Sequence, residues 1–126
     1  MVATGYPRLT SNGGQFWKED SIRVNAESIN TPILVQAADR EYMGALEAVM
    51  ALRDRGKPVD MYVYPDEYHI RWQPVHRLAT YVRSLDWFKF WLLNVQDPTP
   101  VKAAQYRRWQ AMVRPEPQSA ERSLGQ

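Results

Sequence analysis

The chain has 126 residues, of which 44% are hydrophobic and 24% charged, enough for one buried core and ordinary for a globular domain. Sixteen basic residues against fourteen acidic ones leave a formal charge of +2, and because the two signs are interleaved nothing calls for nucleic acid as a partner. The absence of cysteine excludes a disulfide framework, a thiolate metal site and a cysteine nucleophile, and no stretch approaches the roughly 18 apolar residues of a membrane span.

The opening MVATGYPRLTSNGG has neither a basic start nor an apolar run, so no signal peptide is expected in it, and the compartment stays open between cytoplasm and periplasm. Residues 1–30 form an irregular amino-terminal segment: SNGG (Ser11 to Gly14) marks a loop, and a short helix is expected near Trp17 to Ala26. Residues 31–95 then carry a βαβα pattern. After Pro32, the run Ile33, Leu34 and Val35 reads as a strand covered on both faces, as in a parallel sheet. Tyr42, Ala45, Leu46, Val49 and Met50 recur at helical spacing, and this helix stops at Gly56 with Arg53, Arg55 and Lys57 at its negative end. VDMYVY, Val59 to Tyr64, is rich in β-branched and aromatic residues and ends at Pro65, which makes it the second strand of a right-handed βαβ unit.

Leu78, Val82, Leu85, Phe88 and Leu92 then predict a long amphipathic helix from Pro74 to Leu93. Trp87, Phe88, Phe90 and Trp91 span more than one face of it and read as core. Residues 96–126 form a carboxyl-terminal extension with one more short helix over Gln105 to Val113 and a polar, frayed end.

In parallel sheets, functional groups collect in the loops beyond the carboxyl ends of the strands. Asp39 follows the first strand and His69 the second, so adjacent strands would bring both to one edge. There the carboxylate could hold one ring nitrogen of the imidazole and leave the other as a base. Taken alone, this spacing is weak evidence for a catalytic pair, and loop capping or solvation is the commoner outcome.

Three stretches, TPILVQAADREY, ALEAVMALRDRGKPVDMYVYPDEYH and RLATYVRSLDWFKFWL, resemble the end of the catalytic domain of the prolyl oligopeptidase family of serine peptidases. The resemblance covers Thr31 to Leu93. It implies an α/β-hydrolase fold with a Ser, Asp, His triad in that chain order. Asp39 stands where that family has its triad aspartate, His69 where it has the histidine, and Asp86, Trp87 and Phe88 match the signature of the last helix. Gln36-Ala37 replaces the usual His-Gly, and the tail DPTPVKAAQYRRWQAM follows the helix; both features resemble the lasso peptide isopeptidases, a branch of the family. The implied partner is a peptide substrate, and a lasso peptide on the narrower resemblance. No cofactor and no metal are implied.

One element of that family is missing. A nucleophile elbow needs a serine in G-x-S-x-G, and no such motif occurs; Ser11, Ser21 and Ser28 precede Asp39 in other settings. The resemblance therefore implies an incomplete domain, the carboxyl-terminal portion of the fold. It would lack the nucleophile, the oxyanion donors and any propeller, with the amino-terminal part of the same enzyme as missing partner. Alone, such a portion would expose the edge of Ile33 to Val35 and dissolve poorly.

Several neighbours have two readings. His76 opens the long helix as a surface or capping residue, or belongs to the site. Trp72 lines a cleft or packs on the loop, and Asp66 and Glu67 cap the loop or act on His69. Two functions follow: a serine peptidase segment carrying Asp39 and His69, or a non-catalytic half-domain used for binding or assembly.

Overall fold

The structure, a computed structural model, describes residues 14–113. Two short helices, α1 (Gly14–Asp20) and α2 (Ile22–Asn25), stand where one was expected. Ser21 separates them: its backbone is extended and its hydroxyl accepts from the Val24 amide at 3.4 Å, the N-cap of a new helix. The predicted end of the chain beyond residue 113, and the loop residues Ser11 to Gly13, lie outside the described residues.

Strand β1 (Ile33–Ala38) and strand β2 (Val59–Tyr64) pair in parallel, in register from Ile33 opposite Val59 to Ala38 opposite Tyr64. A bond from the Asp39 amide to the Tyr64 carbonyl, 3.0 Å, carries the ladder one residue beyond β1. Helix α3 (Tyr42–Asp54) makes the crossover. Gly56 ends it at φ +62°, with its amide on the Arg53 carbonyl at 2.8 Å and the Lys57 amide on the Leu52 carbonyl at 3.0 Å. This is a Schellman closure, which needs the left-handed conformation glycine adopts freely. Helix α4 (Pro74–Leu93) begins with proline at its first turn, where no amide donor is needed, and ends on Asn94 at φ 53°. A 3₁₀ turn (Pro100–Lys102) leads into α5 (Ala103–Gln110), which begins and ends earlier than the expected Gln105 to Val113.

The alternation of side chains along the strands builds two cores. On one face Ile33, Val35, Val59 and Met61 pack with Ala26, Ile29, Val49, Ala51 and Leu52. Full burial of side chains such as Val49, Leu52 and Val59 contributes about 1.5–3 kcal/mol each. On the opposite face Leu34 meets Trp87, Phe90, Trp91, Tyr106, Trp109 and Met112. The strand β1 is thus covered on both faces, yet Ile33 to Val35 stay half-buried, because among the described residues β1 pairs only with β2.

The predicted helix faces match in part. In α3 Tyr42, Ala45 and Leu46 are half-buried and Val49 is buried, as expected, with Ala51 and Leu52 buried beside them, but Met50 points outward, 46% exposed. In α4 most of the expected stripe is outer: Leu78, Leu85, Phe88 and Leu92 are exposed and Val82 is half-buried, whereas Asp86, Trp87 and Phe90 are buried. Two polar residues of the inner face, Gln36 and Asp86, find partners there. Gln36 of β1 donates to the Thr80 carbonyl (3.2 Å) and Ser84 Oγ (2.9 Å) and accepts from the Tyr64 hydroxyl (2.7 Å). Asp86 accepts from Lys102 at 2.8 Å and Gln105 at 3.1 Å. Gln36 is thus a knot between both strands and α4.

Candidate active site

The turn after β1 and the loop after β2 emerge at one sheet edge and grip each other residue by residue. Asp39 Oδ2 accepts from the Asp66 amide at 2.7 Å and Oδ1 from the Glu67 amide at 3.3 Å. The Arg40 guanidinium lies 4.8 Å from the centre of the Tyr68 ring. Glu41 Oε2 accepts from His69 Nδ1 at 3.0 Å. Three successive residues of one turn thus hold four successive residues of the other loop.

Asp39 is half-buried, and the Asp66 amide is the main reason its carboxyl is held below the ordinary range; the Glu67 amide and Arg40 act the same way, against some desolvation. To present its amide to Asp39, Asp66 adopts φ 50°, a left-handed conformation uncommon outside glycine, asparagine and aspartate. Strain of this kind collects at functional sites. Pro65 before it ends the β2 ladder by lacking a donor.

Asp39 and His69, the two predicted site residues, therefore share an edge but not a hydrogen bond in this conformation. The imidazole turns to Glu41, its side chain 84% exposed. Because a carboxylate only accepts, the Nδ1 proton points to Glu41, and in the neutral form of the ring Nε2 is the acceptor. That is the tautomer a general base requires.

Glu67 is fully buried inside the loop. Its oxygens accept from the Trp72 amide (3.0 Å), the Gln73 amide (3.2 Å) and His76 Nδ1 (2.8 Å). Burial works to raise its pKa, but His76 and the two amides outweigh that and keep the carboxyl below the ordinary range. It caps the loop and meets His76, not His69. His76 is correspondingly half-buried, its ring 5.2 Å from that of Tyr64. Trp72 is 61% exposed but tied to the loop by Nε1 on the Asp66 carbonyl at 3.3 Å. Arg71 braces the site from below, donating to the His69 carbonyl at 2.9 Å and to the Gln36 carbonyl.

Of the serines ahead of Asp39, Ser21 caps α2 and Ser28 donates to the Asn25 carbonyl at 2.9 Å; both do local structural work. Sequence reasoning missed Glu41 as a partner of His69, for which no spacing rule exists across two loops. It also missed the Glu67 to His76 pair, although both residues were considered singly.

The profile of the prolyl oligopeptidase family matches residues 4–94. Lasso peptide isopeptidase AtxE2 of Asticcacaulis excentricus is 52% identical over 112 residues, which is 89% of this chain and 16% of that protein. Dipeptidyl-peptidase 5 of Porphyromonas gingivalis is 29% identical over 94 residues, 64% of this chain and 14% of that protein. Among solved structures, AtxE2 isopeptidase matches with a TM-score of 0.75 and 54% identity, both in its apo form and as a serine-to-alanine variant with Astexin3-dC4 bound. The match covers 77% of this chain and 15% of theirs, so the chain spans about one sixth of the length of these relatives. The two parallel strands and their flanking helices are part of an α/β-hydrolase domain. The chain belongs to the prolyl oligopeptidase family.

Proposed function

We propose that this chain supplies the acid and base members of a serine peptidase site, with Asp39 as the orienting carboxylate and His69 as the general base, acting on the isopeptide bond of a lasso peptide. The observation that carries the reading is the grip of Asp39, Arg40 and Glu41 on residues 66 to 69, which holds the His69 loop against the Asp39 turn. Identity of 52% to a lasso peptide isopeptidase supports the substrate class.

In the complete site His69 Nδ1 exchanges Glu41 for Asp39, and Nε2 takes the proton of a serine hydroxyl as that oxygen attacks the carbonyl carbon. Asp39 stabilises the imidazolium. When the tetrahedral intermediate collapses, His69 returns the proton to the departing amine, which leaves as the free amino terminus of the peptide. Water deprotonated by the same nitrogen then releases the acyl group and regenerates the serine. The serine and the oxyanion donors come from outside these 126 residues, since no G-x-S-x-G occurs in them.

The test is a graft. The stretch of the Asticcacaulis excentricus isopeptidase that aligns with this chain is replaced by the chain's own residues, and turnover of a lasso peptide is measured. The graft is expected to open the ring and its His69→Ala form to be inactive. Turnover that survives His69→Ala would falsify the assignment.

A further inference from the structure

Glu67 is a buried carboxylate that the proposed reaction does not use, and it lies within the loop that carries His69. We propose that Glu67 is a positioning residue for His69, with His76 as its partner: together they close the loop over residues 66–73 and fix where the imidazole is presented. The assignment rests on the peptidase reading above, because it gives Glu67 a task through His69.

A carboxylate taken out of water is tolerated only where donors replace the lost hydration. Every donor that Glu67 receives comes from the far end of the loop or the first turn of α4: Trp72 N, Gln73 N and His76 Nδ1. Its own amide meanwhile donates to Asp39 at the near end. Residue 67 is thus a node. Its backbone fastens the start of the loop to the turn after β1, and its side chain fastens the end of the loop to that same point. His69 lies on the short span between the two attachments. The Asp66 carbonyl reinforces the closure by accepting from Gln73 Nε2 at 2.9 Å.

His76 keeps the node from turning outward. Its Nδ1 proton goes to the carboxylate, and its ring is held near Tyr64, whose hydroxyl belongs to the Gln36 knot. Glutamine at position 67 has one accepting oxygen where the site presents three donors, so at least one of the three attachments is lost. The span carrying His69 then gains freedom at the atom that must meet a serine hydroxyl. Misplacement by about 1 Å at such an atom lowers turnover about 10²-fold.

The graft measures this directly. Glu67→Gln is expected to lower kcat about 10²-fold while leaving KM nearly unchanged, since the loss falls on positioning and not on substrate binding. His76→Leu should do the same. His76→Asn places an amide nitrogen near the former Nδ1 and should recover most of the lost kcat. Thermal melting of each variant separates misfolding from misplacement, and if Glu67→Gln does not fold, the His76 pair decides. Parental kcat for Glu67→Gln beside an inactive His69→Ala overturns the positioning role alone. Equal losses for His76→Asn and His76→Leu, or a change confined to KM, also overturn it. Turnover that survives His69→Ala removes the peptidase reading, and this assignment with it.

Discussion

Trp109→Ala tests whether α5 is an integral part of the domain. The indole is fully buried, meets the rings of Trp87, Tyr106 and Phe90 at 5.1, 5.3 and 5.7 Å, and donates from Nε1 to Asp60 Oδ2 at 2.7 Å. Removing a buried tryptophan costs about 3–5 kcal/mol through lost transfer energy and the cavity left behind. The carboxylate of Asp60 is itself buried and would keep only the Met61 amide at 3.0 Å and a distant Arg108 at 3.5 Å. Stranding such an acceptor adds about 1–3 kcal/mol. The sum is a large share of the roughly 5–15 kcal/mol that stabilises a typical domain. Trp109→Phe isolates the second contribution, because it retains most of the ring and loses the donor. Adding Asp60→Leu to Trp109→Phe removes both partners and should recover part of that loss. Urea unfolding followed by far-ultraviolet circular dichroism, with unchanged slope, provides the comparison. A fall below about 1 kcal/mol for Trp109→Ala, far under the range for buried tryptophans, would show that α5 is not docked on the sheet.

Asp39→Asn in the graft keeps the shape at that position but favours the wrong imidazole tautomer, and should lower kcat by about 10⁴. Combined with His69→Ala it should be scarcely worse than His69→Ala alone, since triad members act as a unit; additive losses in the kcat assay would refute the pairing. The 126-residue chain itself should stay unlabelled by a fluorophosphonate, and mass spectrometry finding stoichiometric adducts on Ser11, Ser21 or Ser28 would contradict this. Asp97 is held well below the ordinary carboxylate range, first by Lys102 at 2.7 Å and then by the hydroxyl and amide of Thr99. A depressed carboxyl contributes stability that is complete above its ordinary value and is lost as the pH falls toward its folded value, so this contribution fades below about pH 4. Asp97→Asn should therefore flatten the acid side of a stability profile, and an unchanged acid slope would count against the Lys102 bridge.

The elements were legible where local chemistry decides them. VDMYVY is β2 to the residue, and α4 runs from Pro74 to Leu93 as its proline start and apolar spacing indicated. The inward faces were less legible, for a physical reason. Periodicity seeks the apolar side of a helix, but α4 has two, and its buried side includes Asp86 and borders Thr80 and Ser84. Ser84 and Asp86 look like solvent-facing residues until Gln36, Lys102 and Gln105 arrive from distant positions to satisfy them. At the site, the sheet edge shared by Asp39 and His69 followed from the βαβ order. Which carboxylate each imidazole meets did not, because Glu41 and Glu67 differ only in how two loops fold over each other.

The residue-by-residue grip between the two loops makes residues 39–41 and 66–76 a single structural block, although α3 and β2 separate them in the chain. A recombination breakpoint inside α3 would join one parent's turn to another parent's loop and put the side-chain pairs Arg40 with Tyr68 and Glu41 with His69 at risk together, even when both parents fold well. Breakpoints ahead of Ile33, or in α4 beyond Ser84, pass the block on whole.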